Sequence, residues 1–153
     1  MSEHSYLITL SNNRTEKAAI DYLLGIDCRY RTLDAASRRA VLDRLGIVRS
    51  FSRAFDLVRL PEDCRDSSEI AIADVDELVL VELKTTKKRL PDLPKGFFFG
   101  ATENEFELAR QLGDRFRFCF VCLHPETPGS CLLTLAELET LIRTRRIQYQ
   151  INL

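Results

Sequence analysis

The amino-acid sequence predicts a single mixed α/β domain in which helices cover a central β-sheet. The length of 153 residues suits one domain. Hydrophobic residues make up 45% of the chain and charged residues 29%, which is the composition of a globular protein. Segments with helix-capping residues alternate with β-rich apolar runs, which is the order expected when helices pack on a sheet. Residues 1–153 are therefore treated as one domain.

Two helices are predicted near the N-terminus. The first covers NNRTEKAAIDYLLG, residues 12–25, with its apolar residues on one face and Gly25 as the C-cap. The second covers DAASRRAVLDRLG, residues 34–46, with Asp34 as the N-cap and the final glycine as the C-cap. The arginines of the second helix are expected on the solvated surface.

The middle of the chain is rich in strand-forming residues. The predicted strands are IVRSF (47–51), AFDLVRL (54–60), IAIAD (70–74) and ELVLVELK (77–84). The last run is apolar on both faces, so it is predicted to be the central strand. Residues 61–69 are expected to form a loop, and so are residues 85–96, which contain two prolines and a glycine.

Helix and strand alternate in the last third of the chain. The helices TENEFELARQLG and TLAELETLIRTR each open with a capping box, Thr102 with Glu105 and Thr134 with Glu137. The remaining extended segments are FFFG (97–100), RFRFCFVCLH (115–124) and IQYQIN (147–152), the last with the alternation of an edge strand. The capping role accounts for Glu105, so we do not expect this residue to belong to an active site.

Composition and segment lengths narrow the classes of protein. No apolar run approaches the ~20 residues that span a bilayer, and the N-terminal segment lacks the basic start and apolar core of a signal peptide. A cytoplasmic protein without a membrane partner is expected. The net charge of −1 argues against coating of nucleic acid by the whole surface, but it is compatible with a local basic cleft.

Five cysteines are scattered along the chain, and two of them, Cys119 and Cys122, form a CxxC in a strand-like run. Side chains alternate on a strand, so these two thiols are expected on opposite faces. Buried, reduced cysteines are favoured over a zinc or iron–sulfur site. The minor alternative is an iron–sulfur cluster with Cys28 or Cys64 as further ligands.

Two opposite charges, Glu82 and Lys84, stand near the end of the predicted central strand and on the same face. Buried charges need partners, water or a metal. Asp56 lies in a neighbouring apolar run and could bring a second carboxylate to Glu82. Two carboxylates held together repel unless a divalent cation neutralises them. The alternative is an ordinary salt bridge at a solvated strand end.

Asp56, a gap of 25 residues, and then Glu82-Leu83-Lys84 resembles the PD-(D/E)xK motif of the restriction-endonuclease-like nuclease superfamily. The ordered string FDLV, LVELKTT and FFFGATENEFELARQLGDRFRFCFV resembles the branch typified by the C-terminal region of the plant NO VEIN protein, which also occurs in bacterial defence proteins. The resemblance covers roughly residues 12–123. It implies a restriction-endonuclease-like three-layer core, with a central mixed β-sheet flanked by helices.

The resemblance also implies the site residues. Asp56 and Glu82 match the ligands of Mg²⁺ or Mn²⁺, and Lys84 matches the catalytic lysine. Glu16 matches an acid that many superfamily members place beside the metal, although an acid favoured by the helix dipole is an equally good explanation. The residues expected to bind the nucleic-acid backbone are Thr85, Lys87, Lys88 and Arg89.

The function implied by the resemblance is metal-dependent hydrolysis of phosphodiester bonds, with DNA as the expected substrate and an endonuclease as the expected enzyme. The resemblance also implies a role in restriction or phage defence, in which the chain acts alone, as a homodimer or as a component of a larger complex. Two alternatives stay open. One is a silent nuclease-fold module that binds nucleic acid or a partner protein, and the other is a pure protein-interaction domain.

Overall fold

A computed structural model describes residues 3–61 and 76–153, with side chains described from residue 14 onward. The helices are α1 (Glu3–Ile26), α2 (Ala35–Leu45), α3 (Glu103–Leu112) and α4 (Leu135–Leu141). The strands are β1 (Tyr30–Thr32), β2 (Leu57–Arg59), β3 (Val79–Thr86), β4 (Phe116–Cys122) and β5 (Gly129–Leu133). They form one sheet in the order β1-β2-β3-β4-β5, in which only β3 and β4 run parallel. The predicted mixed α/β fold is confirmed, with β3 at the centre.

Helices cover both faces of the sheet, which gives three layers. On one face, Ala19 and Leu23 of α1 pack against Val81 and Leu83 of β3. The other face carries the larger core, where α2, α3 and α4 pack against the sheet. The rings from β4 in this core are Phe116, Phe118 and Phe120. Since side chains alternate along a strand, β3 supplies apolar residues to both cores, as its sequence predicts.

Local capping signals correctly predict both ends of α2 and the starts of α3 and α4, whereas α4 ends at Leu141 and not at residue 145 as predicted. The Asp34 side chain accepts a hydrogen bond from the backbone N–H of Ser37, and Gly46 closes α2 in the left-handed region at φ 72°. The two predicted capping boxes are formed, Thr102 with Glu105 and Thr134 with Glu137. These helices begin where a side chain can satisfy their first backbone N–H groups.

Two of the predicted strands are wrong. Residues 49–51, within the predicted strand 47–51, form a single 3₁₀ turn, and the neighbouring Val48 side chain is exposed instead of packing on a sheet. Residues 147–152 form no strand, and their apolar side chains Ile147, Tyr149 and Ile151 are exposed. Alternation alone does not make a strand when no neighbouring edge supplies the hydrogen-bond ladder.

Other boundaries also differ from the prediction. The helix α1 begins at residue 3 and ends at Ile26, so Gly25 lies inside its last turn and is not the C-cap. The short strands β1 and β5 were not predicted. Residues 97–100 form no strand, but the rings of Phe97 and Phe99 both lie 5.0 Å from that of Phe120 and complete the larger core.

Part of the prediction falls on residues that the structure does not describe. These are the loop 61–69 from residue 62 onward, the strand 70–74 and Cys64. Within the described ranges, no helix has the length and apolar character needed to cross a membrane.

The cysteines of the CxxC are buried and unpaired, as predicted. Cys119 belongs to the smaller core, where burial raises the pKa of its thiol to about 12. The Cys122 thiol lies on the other face of β4 and contacts the backbone carbonyl oxygen of Lys88 at 3.2 Å. A raised pKa is the opposite of what a reactive or metal-binding thiol needs, so Cys119 acts as a packing residue.

Candidate functional site

An open pocket lies where β3 extends past β2. On β3, the strand β2 pairs with Val79–Val81 alone, whereas β4 continues beside β3 to Thr86. The pocket has a volume of about 460 Å³, and its walls come from α1, the start of β2 and the end of β3. Its lining residues are Thr15, Glu16, Asp56, Glu82, Leu83, Thr85, Thr86 and Lys87. Five of the residues proposed from the sequence therefore meet in one place.

Asp56 is fixed at the point where β2 begins. Its backbone N–H donates to the carbonyl oxygen of Val81 at 2.8 Å, and its Oδ2 accepts from the backbone N–H of Leu83 at 2.8 Å. The Asp56 and Glu82 side chains interact with each other and line the same pocket. The two acids are therefore neighbours, one just before β2 and the other in β3.

Arg38 of α2 holds the chain that leads into β2. Its guanidinium donates to the carbonyl oxygens of Ser52 at 3.3 Å, Phe55 at 3.1 Å and Asp56 at 3.2 Å. It also lies over the Phe55 ring, 5.6 Å from the ring centroid. These contacts fix the backbone on the N-terminal side of the Asp56 carboxylate.

The prediction that the arginines of α2 are solvated is wrong for Arg38. A signal was present in the sequence, because Arg38 precedes Val41 and Leu42 by three and four residues and so shares their face of the helix. Both of those residues are buried, whereas Arg39 is exposed. Arg38 therefore lies on the face of α2 that packs against the protein, whereas Arg39 lies on the face exposed to solvent.

Glu82 carries a buried carboxylate oxygen without a partner. The residue is only 7% exposed, and its Oε1 accepts from the Lys84 ammonium at 3.2 Å. Its Oε2 receives no hydrogen bond from a donor in the described part of the protein, and it can share one with the Asp56 side chain only when one of the two acids is protonated. Burial and then the charge of Asp56 raise the pKa of Glu82 to about 10, although Lys84 opposes them. Burial and Asp56 thus disfavour the ionised form of Glu82 when no metal is bound.

Glu16 reaches the same pocket from α1. Partial burial raises its pKa, and the charge of Asp56 and a hydrogen bond with it act in the same direction, while Arg38 lowers it. Asp56 thus disfavours ionisation of both Glu16 and Glu82. Mutual repulsion of this kind is what a bound divalent cation would relieve.

Lys84 lies directly behind Glu82 and does not line the pocket. Its Nζ is 2.5 Å from Oε1 of Glu105 and 3.2 Å from Oε1 of Glu82, and its side chain is 10% exposed. Burial alone would lower the pKa of Lys84, but the two carboxylates together raise it. Lys84 is therefore an ammonium at neutral pH, held between two acids.

Glu105, which the sequence assigns to a capping box only, has a second contact in the structure. Its capping box is present as predicted, yet the same carboxylate holds Lys84. The two carboxylate oxygens of Glu105 have different partners. Oε2 accepts from the backbone N–H and the hydroxyl of Thr102, and Oε1 accepts from the Lys84 ammonium. No sequence signal separated this double role from ordinary capping, because it depends on α3 starting beside the end of β3.

The three predicted basic residues, Lys87, Lys88 and Arg89, lie in different surroundings. Lys87 lines the pocket, while Lys88 is exposed and donates its backbone N–H to the Thr86 hydroxyl at 3.2 Å. Arg89 is exposed and pairs with Glu126 at 3.0 Å. Of these three exposed residues, Lys87 is the one that lines the candidate site.

The donor set fits a partial coordination sphere. Within residues 3–61 and 76–153, no three His, Cys, Asp or Glu side chains are grouped to hold a metal ion by themselves. Mg²⁺ needs less, since one or two carboxylates commonly bind it while waters and substrate phosphate oxygens complete the octahedron. Asp56 and Glu82, with its unpaired Oε2, meet that smaller requirement, and Glu16 stands beside Asp56.

Comparison with known proteins adds no relative from which a function could be transferred. No family model, curated protein or solved structure matches this chain.

Proposed function

We propose that this protein is a metal-dependent nuclease that hydrolyses phosphodiester bonds of DNA. The observation that carries the proposal is the unpaired, buried Oε2 of Glu82 beside Asp56 in an open pocket. A buried polar atom without a partner costs free energy, so its retention at such a position favours a ligand that is yet to bind. A cation between the two acids would satisfy that oxygen and relieve their repulsion.

Asp56 and Glu82 are the residues that would hold Mg²⁺ or Mn²⁺. Such an ion supplies a Lewis acid that polarises the phosphoryl group and lowers the pKa of a bound water. The chain contributes rigid placement, since the Leu83 N–H orients the Asp56 carboxylate and the β3–β4 pairing fixes Glu82. Glu16, adjacent to Asp56, is placed to orient a water molecule on the open side of the pocket.

Lys84 would act as a charged hydrogen-bond donor. Its raised pKa keeps the proton on Nζ, which argues against service as a general base. From its position behind Glu82, the ammonium contributes positive potential to the site, and a direct contact with a phosphoryl oxygen in the transition state would require its side chain to move from Glu105 into the pocket. This is a narrower role than the sequence motif alone implies.

The pocket also offers contacts for a phosphate backbone. Thr85 and Thr86, the last residues of β3, and Lys87, which follows them, line one wall of the pocket. Hydroxyl and ammonium groups bind phosphate oxygens and position a nucleic acid without reading its bases. The segment is therefore suited to holding the scissile strand against Asp56 and Glu82.

The direct test is incubation of plasmid, linear duplex and single-stranded DNA with the purified chain in Mg²⁺ or Mn²⁺. Cleavage by the wild type and none by Glu82→Gln is the expected result. The glutamine keeps the shape of the neutral carboxyl group but cannot become an anionic ligand. Absence of both cleavage and any Mn²⁺ binding by the wild type would reject the proposal.

A silent binding module is the second candidate, and one observation favours it. Lys84 is fully engaged by Glu82 and Glu105 without any metal, as in a structural ion-pair network. DNA binding without turnover in the same assay would identify this case. The nuclease proposal includes a cytoplasmic location and a role in restriction or phage defence. It also includes action as a homodimer or in a larger complex.

A further inference from the structure

We propose that Glu105 is a positioning residue that holds the Lys84 ammonium back from Glu82, so that the Glu82 carboxylate is available to the cation. The inference rests on the proposed metal-dependent function, because it concerns the same site. It assigns a role to a residue that the sequence motif does not include.

Lys84 is shared unequally between two carboxylates. Its Nζ lies 2.5 Å from Glu105 and 3.2 Å from Glu82, so the closer contact is to the acid outside the pocket. Glu105 is only 5% exposed, and its second oxygen accepts from the Thr102 hydroxyl at 2.7 Å and from the Thr102 backbone N–H at 3.1 Å. The first turn of α3 therefore fixes the orientation of this carboxylate.

Removal of the Glu105 charge changes which acid Lys84 neutralises. Glu82 would then be the remaining acid in contact with the ammonium, so its ionised form, which is the form that binds a cation, would pair with Lys84 alone. Two buried opposite charges that have lost their water are costly to separate. The lysine would then compete with the cation for Glu82. Glu105 thus favours metal binding in two ways, through its own negative charge and through its contact with Lys84.

The variant Glu105→Gln isolates this effect. Glutamine serves in a capping box as well as glutamate does, so the bonds to Thr102 and the start of α3 are retained. A matched control is Glu103→Gln, which removes the same charge from an exposed position on the same helix. The variant Lys84→Met removes the competitor while it retains an unbranched side chain of similar length.

The test is a double-mutant cycle read by Mn²⁺ titration calorimetry at fixed pH and ionic strength. Glu105→Gln is expected to weaken Mn²⁺ binding roughly tenfold when Lys84 is present, but less than about twofold in the Lys84→Met background. Glu103→Gln is expected to change the affinity by less than about twofold. Thermal melts of all the variants establish that each one is folded.

Equal weakening by Glu105→Gln in both backgrounds would overturn the inference, because the effect would then be that of a lost charge alone. No weakening in either background would overturn it as well. Both results leave the nuclease proposal standing if the wild type binds Mn²⁺ and cleaves DNA. A wild type that binds no Mn²⁺ rejects the proposed function and the role of Glu105 with it.

Discussion

The Asp56 carboxylate accepts a 2.8 Å hydrogen bond from the backbone N–H of Leu83, just where the ladder between β2 and β3 stops. A side chain thus continues the pairing of the sheet by one bond. The same side chain lines the pocket as a candidate metal ligand. Asp56 therefore has two separable roles, one in the fold and one in the site.

Substitutions at Asp56 should separate these roles. Asp56→Asn keeps an acceptor oxygen for the Leu83 N–H, whereas Asp56→Ala leaves that N–H without one. We expect the free energy of unfolding to be lower in the alanine variant than in the asparagine variant by about 1 kcal/mol. Both should lose the response to Mn²⁺. Urea unfolding with and without Mn²⁺ measures both quantities, and equal stabilities would show that the bond to Leu83 contributes nothing.

Metal binding should stabilise the wild type by mass action. At Mn²⁺ concentrations of about 100 times Kd, the gain in unfolding free energy is about 2.7 kcal/mol. Glu82→Gln should show no gain, yet without metal it should be nearly as stable as the wild type, since glutamine resembles the neutral Glu82 carboxyl group. Thermal melts across an Mn²⁺ series test this. A large loss of stability in metal-free Glu82→Gln would instead mark a structural salt bridge with Lys84.

The pKa of Glu82 sets the direction of the pH dependence. The folded protein holds this proton up to about pH 10, whereas the unfolded chain loses it near the usual value of 4.5. The contribution of Glu82 to stability without metal is therefore complete below about pH 4.5 and is lost as the pH rises toward 10. Metal must displace the proton, so Mn²⁺ affinity should rise with pH, by up to about tenfold per unit. Calorimetry at several pH values checks this, and an affinity independent of pH would contradict it.

The basic segment should act through Lys87. Lys87→Ala is expected to weaken DNA binding about equally for all sequences and to reduce the slope of log affinity against log salt by about 1. Arg89→Ala should have little effect, because that guanidinium is paired with Glu126. Fluorescence anisotropy with duplex oligonucleotides at several salt concentrations gives both slopes. Equal losses in the two variants would place Arg89 in the interface as well.

Arg38 and Arg39 form a matched pair for a stability test. Arg38→Ala removes a guanidinium that donates to four carbonyl oxygens, and we expect a loss of about 2 kcal/mol of unfolding free energy. Arg39→Ala, at an exposed position, should stay within about 0.5 kcal/mol of the wild type. Chemical denaturation of both variants gives the comparison. Similar values for the two would mean that the Arg38 contacts do not hold the chain before β2.

Elements with a strong local cause could be predicted from the sequence. The ends of α2 and the starts of α3 and α4 depend on capping side chains that lie within four residues of the groups they satisfy. The central position of β3 follows from its apolar character on both faces. Such signals are contained in the segment itself, so they do not depend on what packs against it.

Features that depend on distant partners could not be predicted. The three-residue strand β1 exists because β2 lies beside it, and residues 147–152 alternate in character without a partner strand. The same limit applies to the site. The adjacency of Asp56 and Glu82 could be expected from the motif, but the contact of Lys84 with Glu105 depends on how α3 docks against β3.

The antiparallel pairing of β2 and β3 has a practical consequence for engineering the molecule. Leu57 and Val81 pair next to the pocket, while Arg59 and Val79 pair at the other end of the same ribbon. Leu60, which follows β2, and Leu78, which precedes β3, therefore lie at the end remote from the candidate site. A reporter domain or affinity handle fused next to Leu60 would start from that end, whereas one placed after Thr86 would start beside the pocket.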